Sequence, residues 1–444
     1  MKHNILFVLL LCTVRCIAQV DSLLSPERLK EDVDYYFKML HSKHPNPYYY
    51  YSLNEFESKK NKIYLQINKP LTHEQFAWII GEMNSCLDMH SMIDIHTGGH
   101  WRTSLLTALN DKSFRIFPTV KIKNDRLYLQ VNNLEIININ GIKVAEILQD
   151  LKKYFNWKLP YEINIHGMES CFSNFLMNKY RLKAPFDVML GKSDNIQKLE
   201  GTTLIEFAKE SIGGTRGVMY GFTYKVYPKS SIAIFNMNDF SERNKDRLER
   251  KLRIFFKEVN SLNIQHIFYD LSMNGGGHPY LKPLDIIEHD SIYFKLNAIG
   301  TTIGTAMFFP KYATIQFNRK YELNEVVLPP NKDSSITKGR KLYVLQGINT
   351  ASGADYFCRI VAENNLGILV GQNTGEPTVA FSYKSEHKMP NSGITFGVAT
   401  IFCDFSNFFK KETLHPNIYW DIDNHKEFTE TELLDIIKHC KKRK

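Results

Sequence analysis

The chain has 444 residues, 43% hydrophobic and 23% charged, which is a globular composition long enough for two or three domains. Its net charge of +9 is concentrated nowhere except the tail Lys441 to Lys444, and no basic stripe alternates with aromatics, so a nucleic-acid partner is excluded. Two of the seven cysteines, Cys12 and Cys16, fall in the first residues. The other five (Cys86, Cys171, Cys358, Cys403, Cys440) are odd in number and widely spread, with no CxxC spacing, which excludes a disulfide framework and a structural zinc site.

The chain opens "MKHNILFVLLLCTVRCIAQVDS". A cationic start, an apolar run from Ile5 to Val14 and small residues at Cys16 and Ala18 predict a secretory signal over residues 1–18, cut before Gln19. Its removal takes away Lys2 and Arg15 and lowers the net charge from +9 to +7. No other run is long and apolar enough for a membrane helix, so the expected product is exported, periplasmic or secreted. Arg15 fits a lipid-attachment reading of Cys16 badly.

Leu29, Val33, Phe37 and Leu40 follow one helical face, and the prolines of "HPNPYYYY" end that helix. A second helix starts at "LTHEQFAWII", where Thr72 and Gln75 have capping-box spacing and Leu71 and Phe76 fit a hydrophobic staple. From about Phe117 short alternating strands take over, "FPTVKI", "RLYLQV" and "LEIININGIKV", with a helix near Val144 to Tyr154. From Ser231 the pattern is strand ("SIAIFNM"), amphipathic helix with Leu248, Leu252, Phe255 and Val259 on one face, then strand ("IQHIFYDLS"). Such a crossover makes its two strands parallel. With "KLYVLQ", the helix after Ser352 and "LGILVG", the C-terminal half reads as an α/β domain on a mainly parallel sheet. Ligands of such sheets sit at the carboxyl ends of the strands, where "NGGGH" and "NTASG" fall.

Ser352 stands where a strand passes into a helix, between Ala351 and Gly353. A serine here can be an ordinary helix cap, or a nucleophile with backbone N–H groups beside it. The three glycines Gly275 to Gly277 are a flexible loop or a bare strand end against which a substrate can lie. No GK[ST] follows, which argues against a phosphate loop. In the second case the N–H groups of Gly276 and Gly353 would form an oxyanion hole. A serine nucleophile needs a base, and "CLDMHSMIDIHTGGH" offers His90, His96 and His100. No carboxylate or thiol completes a zinc ligand set at the usual spacing, so no metal and no other cofactor is expected.

With these residues the chain resembles the C-terminal processing (tail-specific) serine peptidases, and the likeness covers nearly all of the mature chain. "YDLSMNGGGH" is similar to that family's DLRGNGGG, "NTASGADYF" to its T-A-S-A-x-E, and "LGILVGQNTG" to the following strand and its G-E-x-T-x-G turn. "CLDMHS" is similar to L-x-D-G-H-T. "MPNSGITFGVATIFCDFS" and "LHPNIYWD" look like the closing strands and the P-D-I segment, and "IININGIKVAEIL" resembles the I-x-x-I-N-G turn of a PDZ domain. The resemblance implies a crotonase-like or Clp-protease-like α/β core over residues 216–444. Ahead of it would lie an N-terminal helical region over 19–112 and a β-rich, PDZ-like middle over 113–215. It implies Ser352 as nucleophile.

The family's Ser–Lys branch carries its lysine in T-F-G-K-G. In register from Thr374 this chain has Pro377 at that place, and Lys384 lies seven residues on. The chain is closer to the branch of the tricorn protease core and the retinoid-binding-protein-like members, where a histidine of the N-terminal part is the base. His90 fits that role, with His96 as runner-up. The acidic third member is Glu412, ahead of "LHPNI", or Glu376; Ser91 or Ser85 would stand beside the base. Ser272 replaces the arginine that the family places after its leucine. The expected function is an exported serine peptidase acting on a peptide or protein. The alternative is a weak or inactive homologue that binds peptide or an apolar ligand on the same scaffold.

Overall fold

The computed structural model describes residues 23–95, 113–191, 195–204, 206–207, 222–277, 280–300, 320–332, 339–407, 409–423 and 426–442; within strands, the side chains of 294–300 and 320–327 are not described. The expected signal segment and His96 and His100 lie outside these residues.

Three helices come first: α1 (Pro26–Lys43), α2 (Leu53–Gln66) and α3 (His73–Gly81). Leu29, Val33, Phe37 and Leu40 are all buried along α1. The capping box at Thr72 and Gln75 opens α3, and Leu71 and Phe76 are buried in one cluster around it. A 3-10 turn, Glu82–Cys86, follows and delivers the chain to the "DMHS" loop.

A five-stranded antiparallel sheet then forms in sequence order: β1 (Val120–Lys123), β2 (Arg126–Leu129), β3 (Glu135–Ile139), β4 (Phe186–Leu190) and β5 (Ile196–Leu199). Between β3 and β4 lie α4 (Val144–Leu151) and α5 (Tyr161–Lys179). The 19-residue helix α5 is an addition to the β-rich reading of this region. Met168, Phe172, Phe175 and Leu176 bury its inner face against the sheet.

The C-terminal half contains a six-stranded sheet of β6 (Tyr224–Tyr227), β7 (Ile232–Asn236), β8 (His266–Asp270), β11 (Lys341–Gln346), β12 (Ile368–Gly371) and β15 (Ile418–Tyr419). Its order is β15-β12-β11-β8-β7-β6, parallel except for the antiparallel edge β6. Helix α6 (Lys245–Ser261) makes the β7–β8 crossover and buries Leu248, Leu252, Phe255 and Val259, as the pattern requires. Helix α7 (Gly353–Glu363) joins β11 to β12, and α8 (Glu430–Lys442) covers the opposite face.

A second, antiparallel sheet of β9 (Ile292–Gly300), β10 (Lys320–Leu328), β13 (Val379–Lys388) and β14 (Thr395–Asp404) has the order β10-β9-β14-β13. The hairpin of β13 and β14 reaches into the N-terminal helices: Met389, Ile394, Phe396 and Val398 belong to the same buried cluster as Leu29 and Phe76. Buried Asp32 on α1 accepts the backbone N–H groups of Asn391 (2.8 Å) and Ser392 (2.6 Å) at the hairpin tip. This contact ties the N-terminal helices to the antiparallel sheet of the C-terminal half.

Candidate active site

Ser352 lies one residue before α7, and its hydroxyl makes no cap bond to that helix. Its backbone is at φ 51° and ψ −126°, a conformation that costs a non-glycine residue of order 1–3 kcal/mol and persists only where surroundings impose it. The surroundings are tight. A Cβ on Gly276 would stand 2.6 Å from the Ser352 Cβ and 2.9 Å from the Gly353 nitrogen, and Gly276 itself has φ +106°. On the other side, a Cβ on Gly375 would meet the Ile348 carbonyl at 2.0 Å. The two glycines let three backbone segments close on one serine.

That closure brings Glu376 beneath the turn. Its Oε2 accepts the Ser352 N–H at 3.0 Å, and its Oε1 lies 3.8 Å from Nδ1 of His90. Glu376 is 1% exposed and His90 20%. Neither Oε1 nor Nδ1 has another hydrogen-bond partner, although both atoms are buried. Two facing orphans are both satisfied when the gap shortens to about 2.8 Å, and such bonds commonly tighten only when a site is occupied. Burial raises the pKa of Glu376 above the ordinary carboxylate range; nearby Asp355 adds to this, while His90, the Ser352 N–H and Arg359 counter it.

His90 arrives on a docked edge. Met92 and Gly397 exchange both backbone bonds (N to O, 3.2 and 2.8 Å), and the Asp94 N–H donates to Thr395 O on β14 at 2.9 Å. The Ser91 hydroxyl accepts the Ala399 N–H at 2.8 Å. Ser85, by contrast, donates to its own turn at Glu82 O and accepts from Lys59.

The structure thus brings together Ser352, Gly353, His90 and Glu376, while Glu412 is exposed. Its backbone carbonyl accepts the Thr378 N–H at 2.7 Å, so this residue holds the chain next to the site and not the histidine. The Gly276 N–H expected to face an oxyanion donates to Asn274 Oδ1 at 2.8 Å, so its contribution here is the absence of a side chain. The Gly353 N–H stands in the first turn of α7, where no intrahelical acceptor exists. Lys384 is solvent-facing on β13 and pairs with Glu386 at 3.2 Å.

A cavity of 530 Å³ opens beside the turn, between the N-terminal helices, α4 and α5. Ala351, next to Ser352, and Gly375 are among its lining residues, and Met89, Met92, Phe155 and Ile163 are part of its apolar wall.

These features define an α/β protein with several sheets, in which one buried carboxylate, Glu376, meets both a serine-bearing strand–helix turn and a histidine ring. No family model matches the chain, and no curated protein matches it. Solved structures do. Mature CPAF complexed with lactacystin superposes with a TM-score of 0.60 at 11% identity, over 94% of this chain and 98% of that one. Mature CPAF alone gives 0.55 at 11% identity, over 94% and 97%. The photosystem II D1 C-terminal processing protease is a weaker match, at 0.44 and 11%, over 88% and 93%. At such identities the likeness is one of fold, and the fold is the one seen in mature CPAF. Among the described residues no helix is long and apolar enough to cross a membrane.

Proposed function

We propose that the protein is an exported serine peptidase with a crotonase-like core, of the histidine-using branch, in which Ser352 attacks a peptide carbonyl and His90 is the base. The observation that carries this reading is Glu376, one buried carboxylate that holds the Ser352 backbone with one oxygen and faces the His90 ring with the other. With Nδ1 turned to Glu376, Nε2 is the nitrogen left to take the Ser352 proton. As the proton moves, the lone buried carboxylate gains a cationic partner, so the interaction strengthens in the transition state and not before it. The Gly353 N–H and the positive end of the 11-residue helix α7 face the developing oxyanion. His90 gives that proton to the leaving amine as the acyl-enzyme forms, and in hydrolysis of the acyl-enzyme it takes a proton from water and returns it to Ser352. The apolar cavity next to Ala351 accepts large apolar side chains of the substrate. Pro377, buried at the place of the other branch's lysine, supports the histidine assignment.

A biotinylated fluorophosphonate tests the reading. It should label wild type at Ser352, found by peptide mass, and should label neither Ser352→Ala nor His90→Ala. A wild type that neither takes up the label nor cleaves an unstructured apolar peptide would refute it and leave a binding protein on the same scaffold.

A further inference from the structure

We propose that His44 and Asp88 are positioning residues, a buried hydrogen-bonded pair of neutral imidazole and carboxylate that fixes the backbone of His90. The inference rests on the peptidase reading above. The His44 Nε2 lies 3.0 Å from Asp88 Oδ2, and both side chains are 3% exposed. The Asn46 N–H donates to His44 Nδ1 at 3.1 Å, so that nitrogen carries no proton. The ring proton is therefore on Nε2, it is donated to Asp88, and the ring is uncharged.

The sequence explains why His44 is there. Pro45 follows it, and the residue before a proline is pushed out of the helical region. His44 accordingly leaves α1 at φ −77° and ψ 133°, which turns its ring inward against Phe381, with ring centroids 4.5 Å apart. The other carboxylate oxygen, Asp88 Oδ1, accepts the N–H groups of His90 (2.7 Å) and Ser91 (2.9 Å). One carboxylate thus joins the end of the first helix to the amide of the proposed base. Burial alone would raise the Asp88 pKa, but His44, Ser91 and His90 outweigh it and hold it at about 2, so the group is ionised at neutral pH. The titratable groups around Asp88 are His44 from the end of α1, His90 in its own loop, Tyr36 from α1 and Tyr50 from the segment after it.

The pair makes a specific demand. In Asp88→Asn the amide keeps the bonds to His90 and Ser91 but turns N–H donors toward His44 Nε2–H. His44 cannot switch tautomer without setting Nδ1–H against Asn46 N–H. In His44→Gln the side-chain amide donates to Asp88 and accepts from Asn46, so the pair survives. In His44→Leu nothing donates.

Peptide hydrolysis by these three variants is compared with wild type, with melting curves alongside. Asp88→Asn and His44→Leu should lose kcat by ~10²-fold with KM nearly unchanged, because a misplaced base costs the chemical step. His44→Gln should recover most of kcat. The acid limb of kcat/KM should move to lower pH in Asp88→Asn, since a nearby carboxylate favours a cationic imidazole. Folded Asp88→Asn and His44→Leu proteins with wild-type kcat and pH profile would overturn the proposal, as would a His44→Gln no better than His44→Leu. Nitrogen-15 NMR of wild type covers variants that fail to fold: His44 should show Nε2–H with bare Nδ1, and the opposite tautomer or a cationic ring overturns the pair. A wild type without hydrolysis removes the peptidase reading and the positioning role with it, while the tautomer still reports the pair.

Discussion

The two sides of the candidate site are held in different ways. Ser352 is built into the parallel sheet: β11 leads to it, α7 leaves from it, and Gly276 and Gly375 let neighbouring backbone close on it. His90 belongs to another part of the chain and is held by attachments, namely the exchange of backbone bonds with β14, the Ser91 bond to Ala399 and the Asp88 carboxylate. The serine side spends local strain on a fixed hydroxyl, and the histidine side spends none on a loop that docking alone keeps in place. Glu376 is the one described side chain that faces both.

The largest expected effect tests whether the two sides act as one. Ser352→Ala and His90→Ala should each reduce peptide hydrolysis by ~10³-fold or more, and the double variant should be little worse than the worse single. Melting temperatures should stay within a degree or two of wild type, because the Ser352 hydroxyl makes no cap bond. Additive losses would mean that the two residues do not share a step.

Next is the link between them. Glu376→Gln keeps the size and one acceptor but not the charge that faces His90, and should lower kcat by ~10²-fold or more. Glu412→Gln, at an exposed side chain, should stay within about twofold. The reverse order of sensitivities would return the acidic role to Glu412.

The smallest effect separates the two sides by the sign of their pH dependence. The folded-state pKa of Asp88 is depressed to about 2, so its contribution is present above the unfolded value near 3.8 and is lost as pH falls toward 2. The stability gap between wild type and Asp88→Asn should therefore shrink across that window. The Glu376 pKa is raised from 4.5, so its contribution is full below that value and lost as pH rises through the higher folded one. Relative to wild type, Glu376→Gln should become more stable as pH rises. Melting curves from pH 2 to 8 check both, and parallel shifts of the two variants would contradict the assigned charges.

Much of the serine side was legible, because its signals are local. The alternation of strand and helix around Ser352, the glycine run and the face Leu248–Leu252–Phe255–Val259 all sit within short windows, and each has its expected place. The capping box at Thr72 was legible for the same reason. The acidic partner was not. Glu376 and Glu412 both lie near plausible motifs, and only the close approach of Gly375 to Ile348, a contact between turns, decides which one reaches the histidine. Helix α5 was missed although Met168, Phe172 and Phe175 are spaced for it, because the strands on both sides dominate that window. The occupied N–H of Gly276 is a three-dimensional fact, set by an asparagine two residues earlier.

The exchange of bonds between Met92 and Gly397, continued by Asp94 to Thr395, makes the histidine loop an added rung on the edge of β14. A rung of this kind is lost by peeling, without unfolding of either sheet. Amide protons at Met92, Asp94 and Gly397 should therefore exchange with solvent deuterium as a group, at a free energy of opening below that of the sheet interior. Each such opening withdraws the proposed base, His90, while leaving Ser352 in its strained turn. The fraction of time spent with the rung closed then sets a ceiling on the active fraction of the molecule, and that ceiling is a property of hydrogen exchange rather than of chemistry.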